Sequence, residues 1–324
     1  IKLIMAYTTV PKSTDYFNTK LYTGNGSTNA ITGVGFQPDF VWQKSRSNAE
    51  GHGLFDVLRG VTNRIQSNTL NAESSIAGSL QSFDSDGFTV GNDVGANGNG
   101  QTFASWNWKA NGQGSSNTEG SINTTYTSAN TTSGFSIIQY TGNATASATI
   151  GHGLGKIPTM IIFRRYAQAE NWDVYHQAIG NAKSIRLNET GAAFDNATAL
   201  TSTTPTSNLI TLGTSVTTNA NGNPMIAYCF ADVQGFSKMG SYIGNGNADG
   251  TFVYTGFKPA FVMTKPSSGA GSWYMLDNKR ANPFNVVTGR LEADGSGTEN
   301  TGFTWCDFTS NGFKIRTTEG GINA

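Results

Sequence analysis

Tyr22-Thr23-Gly24-Asn25-Gly26, followed by Gly35-Phe36-Gln37-Pro38-Asp39-Phe40-Val41-Trp42-Gln43-Lys44, decides how this chain is read, because the pair occurs three times. The second copy is Tyr140-Thr141-Gly142-Asn143-Ala144 with Gly155-Lys156-Ile157-Pro158 and Thr159 to Arg164. The third is Tyr242-Ile243-Gly244-Asn245-Gly246 with Gly256-Phe257-Lys258-Pro259 and Ala260 to Lys265. Pro38, Pro158 and Pro259 set the register, with steps of 120 and 101 residues. The same two steps relate Asp56, His176 and Asp277. A period this long does not suit a solenoid unit; it suits a domain-sized module, commonly ~100–150 residues.

Working outward, the first unit occupies residues 1–110 and ends in Thr102-Phe103-Ala104-Ser105-Trp106-Asn107-Trp108-Lys109. Residues 111–121 are rich in Gly, Ser and Asn and read as a flexible linker. The second unit covers 122–233 and ends in Pro224 to Ala231; the third covers 234–324. Thr318 to Ala324 matches roughly Thr218 to Gly222, so the closing strand of the third unit is missing.

Local patterns favour strands. Tyr16 to Tyr22 alternates apolar and polar residues, and leading strands are expected at Ile122–Tyr126 and Phe135–Tyr140. Asp86-Gly87 between apolar flanks predicts a hairpin from Phe83 to Val90 with a type I′ turn, repeated around Asn311-Gly312. Helical periodicity is weak, with at most one turn between Phe55 and Ile65. The expected fold is therefore all-β: three tandem homologous jelly-roll-like β-sandwich modules, the last lacking its closing strand.

Composition narrows the function classes. The 21 basic and 21 acidic residues cancel, and only 13% of the 324 residues are charged. Nucleic-acid binding needs clustered Lys and Arg, so neither nucleic acid nor an anionic membrane is an expected partner. No apolar run approaches the ~18 residues that read as a membrane-spanning helix. Ile1 to Ile4 is too short for a secretory signal, and Met5 reads as a natural start. Cys229 and Cys306 fall at non-equivalent places and read as free buried thiols.

Candidate chemistry is sparse. His52, His152 and His176 show no pairing with a positioned nucleophile. Asp84 and Asp86 flank a turn, and Asp86 becomes Asn311 in the third unit, which keeps turn chemistry and removes a carboxylate. The Asp-Ser-Asp-Gly run lacks the later glutamate of an EF-hand. Gly24-Asn25-Gly26 precedes strands rather than a helix, so it reads as a turn and not a phosphate loop. No catalytic residue, metal ligand or cofactor site is assigned. The repeated Asp56/His176/Asp277 position is the candidate ligand contact, against a buried hydrogen bond that fixes a sheet corner. The tryptophans (Trp42, Trp106, Trp108, Trp172, Trp273 and Trp305) suit either sugar stacking or a core.

The run Phe17 to Gly26, then Ile31 to Trp42, resembles a repeated β-domain of unknown function found in tail-fibre-like virion structural proteins of marine and cyanobacterial tailed bacteriophages. Leu54-Phe55-Asp56, Arg59-Gly60, Gly151 to Gly155, Trp172 to His176, Ala227 to Ala231 and Tyr254 to Val262 continue the likeness over nearly the whole chain. The resemblance implies a virion-surface component made in the host cytoplasm. It implies other virion proteins and self-association, as a trimer, as partners. Tandem sandwiches would extend reach towards a host surface polysaccharide. Two alternatives stand beside this: a capsid or tail decoration protein or filament subunit, and a polysaccharide depolymerase with two carboxylates across a groove.

Overall fold

The computed structural model describes residues 7–280 and 285–324; Met5 and the four residues before it lie outside them. Repeat one runs through β1 (Phe17–Thr23), β2 (Asn29–Thr32), β3 (Phe40–Ser45), β4 (Gly53–Asp56), β5 (Asn63–Arg64), β6 (Ser74–Ser75), β7 (Leu80–Asp84), β8 (Gly87–Val90), a one-turn helix α1 (Val94–Asn97) and β9 (Thr102–Trp108). It forms one sheet in the order β1-β9-β3-β4 and a second in the order β2-β8-β7.

Repeat two begins with an extra strand, β10 (Tyr126–Asn130). It continues as β11 (Phe135–Thr141), β12 (Ala148–Gly151), β13 (Pro158–Arg165), β14 (Asp173–His176), β15 (Lys183–Arg186), β16 (Phe194–Asp195), α2 (Ala197–Leu200), β17 (Leu209–Leu212), α3 (Val216–Asn219) and β18 (Pro224–Ala231). Its large sheet is ordered β10-β11-β18-β13-β14-β15-β16, with β12 and β17 opposite.

Repeat three has β19 (Phe252–Tyr254), β20 (Phe261–Thr264), β21 (Tyr274–Asp277), β22 (Arg290–Glu292), β23 (Cys306–Thr309), β24 (Gly312–Ile315) and α4 (Gly320–Asn323), in sheets β20-β21-β22 and β19-β24-β23. No counterpart of β1 or β9 pairs with them among the described residues. In repeat one β1 pairs only with β9, so its counterpart in repeat three has no ladder among the described residues.

Each repeat encloses its own core between its sheets, such as Ile31, Val41, Phe55 and Phe88 in repeat one. A further core is shared. Trp42, Leu54 and Trp106 meet Ile137, Trp172 and Tyr228, and Trp273, Met275 and Leu291, in one cluster. Hence both faces of the large sheets are covered, and every residue of β3 is buried. The alternation in β9 sends Ala104 and Trp106 into the shared core, while Phe103 stacks on Tyr22 on the other face. The three repeats therefore close on one another around a common centre; they are not extended as a string.

Several expectations are corrected. Residues 111–121 are not a free tether: Asn111 N–H donates to Ser128 Oγ, Ser115 bridges Thr127, and Ser121 N–H donates to Thr149 Oγ1. A side chain at Gly114 or Gly120 would strike the Thr127 or Thr149 carbonyl, so these glycines allow close packing where composition suggested flexibility. The first strand of repeat two starts at Tyr126, and residues 122–125 carry no ladder. The 80–90 hairpin forms, but not on a type I′ turn. Such a turn needs positive φ at both central residues, and Ser85 and Asp86 lack it. The Asp86 carboxylate instead accepts from Gly33 and Gly35 N–H, which holds its pKa below the usual range. Within the matched segments 218–222 and 318–324, Asn219 and Asn323 are the equivalent residues, as the turn contacts below show. Both cysteines are free and buried, which pushes their thiol pKa values up. No described helix is long and apolar enough to cross a membrane.

Candidate functional site

The Gly-Asn-Gly stretch is a turn held by one buried asparagine in each repeat. Asn97 Oδ1 accepts from Asn25 N–H, and its amide donates to the Ser27 and Gly91 carbonyls. Asn219 does the same with Asn143, Thr145 and Gly213, and Asn323 with Asn245, Asn247 and Thr317. Gly24 is required because a Cβ there would lie 2.2 Å from the Gly98 carbonyl oxygen.

The repeated Asp56/His176/Asp277 position closes β4, β14 and β21. Asp56 and Asp277 are fully buried. Asp56 accepts from Leu58 and Arg59 N–H and from Arg59 Nε at 2.6 Å. Asp277 repeats this with Lys279, Arg280 and Arg280 Nε at 2.6 Å. Each arginine also reaches a glutamate: Arg59 to Glu73 at 2.7 Å and Arg280 to Glu299 at 2.9 Å. Burial opposes the charge on Asp277, but the Arg280 guanidinium outweighs it and lowers the carboxyl pKa. The Arg59 charge is likewise held on, against burial, by Asp56. These carboxylates are saturated by donors and offer no open ligand face. His176 differs: it is half-buried, and its Nδ1 accepts from Ala178 N–H. Ile179 stands where the other repeats have arginine, so repeat two lacks the ion pair.

The three residues do not converge on one site. Two of them sit at seams between repeats. Tyr228 of β18 donates its hydroxyl to Asp56, and Trp106 of β9 donates its indole N–H to Asp277 at 3.0 Å. A second set of ties runs round the whole ring. Trp172 Nε1 donates to the Gln66 carbonyl at 2.9 Å and Trp273 Nε1 to the Arg186 carbonyl at 2.7 Å. His52 Nε2, the counterpart in repeat one, lies 2.8 Å from the Glu292 carbonyl. His52 Nδ1 accepts from Trp42 Nε1, which makes Nε2 the donor of a neutral ring. Burial, and then Lys44, push the His52 pKa down to about 3. A third set pairs Glu73 N–H with Tyr166 O, Ala193 N–H with Ser267 O and Glu299 N–H with Arg46 O. Sequence reasoning missed the role of His52, although the 120-residue step carries it onto Trp172.

An open cleft of about 520 Å³ lies within repeat three, lined by Arg290, Glu292, Thr298, Glu299, Asn300 and Thr301 among others. The Arg290 guanidinium lies 4.1 Å from the Tyr274 ring centre and 4.4 Å from that of Trp305, and pairs with Glu292 at 2.7 Å. Glu299 gives one oxygen to Arg280 and the other to Arg46. Exposed Phe303 packs against Trp305 with the rings tilted and their centres 5.2 Å apart. The cleft thus offers exposed hydroxyls and the half-buried Asn300 amide, with the exposed Phe303 ring nearby. Both of its carboxylates are already engaged by guanidinium groups. Five tryptophans are buried and Trp108 is half-buried, so any sugar platform falls to residues such as Phe303 and Tyr254.

Fold and site define a class: an all-β protein of three repeats closed around a shared core, with ties rather than reactive groups at the repeated polar positions. Residues 12–324 match the family described as a domain of unknown function (DUF7483), and the chain belongs to that family. No curated protein and no solved structure matches it.

Proposed function

We propose that this chain is a non-enzymatic, tail-fibre-like component of a bacteriophage virion that binds host surface glycan. The observation that carries the reading is the chemistry of the cleft. Arg290 lies against the rings of Tyr274 and Trp305, exposed Thr298 and Thr301 line the cleft with it, and exposed Phe303 packs on Trp305. Hydroxyl and amide groups beside an aromatic edge suit a pyranose, which presents hydroxyls at its rim and CH groups on its face. Glycoside hydrolysis needs one carboxyl free to give a proton and another free to act as base or nucleophile. With Glu299 bound to two guanidinium groups, the cleft favours binding over cleavage. Weak contacts at one cleft become useful through many copies on a particle.

The test is a glycan array probed with the intact protein and with Thr298→Ala/Thr301→Ala/Phe303→Ala. Saturable binding to a host glycan that the triple variant loses supports the reading; no binding to any host surface glycan sinks it. A second reading, a decoration protein that contacts only virion neighbours, draws support from the closed ring, which gives no added reach. Cryo-electron microscopy of the particle separates the two: density at fibre tips favours attachment, and density lying flat on capsid or tube wall favours decoration.

A further inference from the structure

Lys44, Arg164 and Lys265 occupy one repeat position, by the steps of 120 and 101 residues, and so do Glu50, Glu170 and Gly271. At two of the three seams these positions form a clasp. The Leu70 carbonyl accepts from Glu170 N–H at 2.9 Å and from the Arg164 guanidinium, which also donates to the Glu170 carbonyl. The Thr190 carbonyl likewise accepts from Gly271 N–H at 2.8 Å and from Lys265 Nζ, which also donates to the Gly271 carbonyl. The third seam has the parts without the contacts. Asn68, Asn188 and Asp294 each accept the backbone N–H of His52, Trp172 or Trp273. Two residues further on stand Leu70, Thr190 and Ser296, so Ser296 is the third clasp residue. It is exposed. Glu50 N–H turns back to the Asn48 carbonyl at 2.9 Å instead. The buried Lys44 ammonium takes the carbonyls of Ser45 at 2.6 Å and Asn48 at 3.4 Å, both of its own repeat.

We propose that residues 294–298 are a two-position flap on the cleft, whose second position closes the third clasp by bringing the Ser296 carbonyl to Glu50 N–H and the Lys44 ammonium. The arms on either side of this tip are pinned to repeat one. His52 Nε2 meets the Glu292 carbonyl at 2.8 Å, and Glu299 N–H donates to the Arg46 carbonyl at 2.8 Å. The tip therefore hangs between two points fixed on the surface it would close on. Its sequence favours movement. Ser296 has glycine on both sides, where repeat one has Thr69 and Asn71 and repeat two has Glu189 and Gly191. The position seen here requires neither glycine: neither has a positive φ, and a Cβ at Gly297 meets nothing within 4 Å. Glycine's conformational freedom is the feature a second position would use. Gly297 and Thr298 line the cleft, so the cleft changes shape as the flap moves. The motion stands on the comparison of the three seams; its use as a gate for glycan rests on the function proposed above.

The test is disulfide trapping in the full chain, with Leu70→Cys/Glu170→Cys as the clasped reference and Glu50→Cys/Ser296→Cys at the open seam. Cys229 and Cys306 are buried and stay out of the reaction. Under mild oxidation the reference pair should close at once. The 50/296 pair should close fully but ~10-fold or more slowly, because a minor conformer is commonly ~0.1–10% populated. Closure of the reference pair with none at 50/296 overturns the proposal. So does closure of both at one rate, which would show a single settled position. On the glycan array the cross-linked and reduced forms of the 50/296 variant should differ ~10-fold or more in affinity. Equal binding overturns the gate. Binding by neither form fails the glycan reading alone, and the cross-linking rates then decide the flap.

Discussion

The Tyr228 hydroxyl donates a 2.7 Å hydrogen bond to Asp56 Oδ2 across the seam of repeats one and two, and the same oxygen receives Arg59 Nε. One aromatic on a closing strand thereby completes the solvation of a buried ion pair in the neighbouring repeat. Burial raises the Tyr228 pKa well above its ordinary value, and the Asp56 charge adds to that effect; the phenol therefore keeps its proton and remains a donor.

Removing that donor should cost less than removing the carboxylate. Tyr228→Phe leaves Asp56 its other donors and should lower stability by about 1.5–3 kcal/mol, the range for a hydrogen bond to a charged group. Asp56→Ala takes the buried carboxylate from Arg59 Nε and leaves that charge only Glu73; it should cost about 3–5 kcal/mol. Denaturant unfolding of both variants and the double variant checks this; the effects should fall short of additive, because the residues share one network.

His52 makes stability pH-dependent. Its folded pKa of about 3 lies below the ordinary histidine value of 6.5, so the fold favours the neutral ring. This contribution is complete above pH ~6.5 and is lost as pH falls towards 3, at up to about 1.4 kcal/mol per pH unit. His52→Phe should flatten that slope. It should also lower stability at pH 7 by about 2–4 kcal/mol, because the Trp42 N–H and Glu292 carbonyl lose their partners. Melting curves at several pH values measure both effects.

The asparagines at 97, 219 and 323 should behave alike. Asn97→Ala and Asn219→Ala each leave buried turn groups unpaired, and each should cost about 2–4 kcal/mol. Gly24→Ala should be comparably damaging, since the added methyl meets backbone rather than a movable side chain. Unequal losses at 97 and 219, measured by chemical denaturation, would count against a common turn clamp.

The shared core predicts one cooperative unfolding event and not three. Calorimetry should show a single transition whose calorimetric and van't Hoff enthalpies agree. Repeat two alone, residues 122–233, would expose Phe135, Ile137, Trp172 and Tyr228. It should associate or aggregate in sedimentation experiments, as large exposed apolar patches do.

The sequence by itself determined the repeats, their all-β character and the turns. Tyr22-Thr23-Gly24-Asn25-Gly26 and its copies fix local backbone geometry, and strand alternation is visible residue by residue. The position of Asp56, His176 and Asp277 was legible from spacing, but its partners were not. Tyr228 lies 172 residues from Asp56, and Glu292 lies 240 from His52; no local pattern encodes such pairings. The equivalence of His52 with Trp172 and Trp273 was available in the register and was hidden by the change of residue type. The cleft could not be read at all, because its walls, residues 290–292 and 297–301, carry no motif and meet only in the folded repeat. Tertiary structure decided that the repeats close into a ring. A strand's period of two shows which residues share a face, but what covers the second face is settled only when all three sheets pack. That closure turns a row of similar modules into one body.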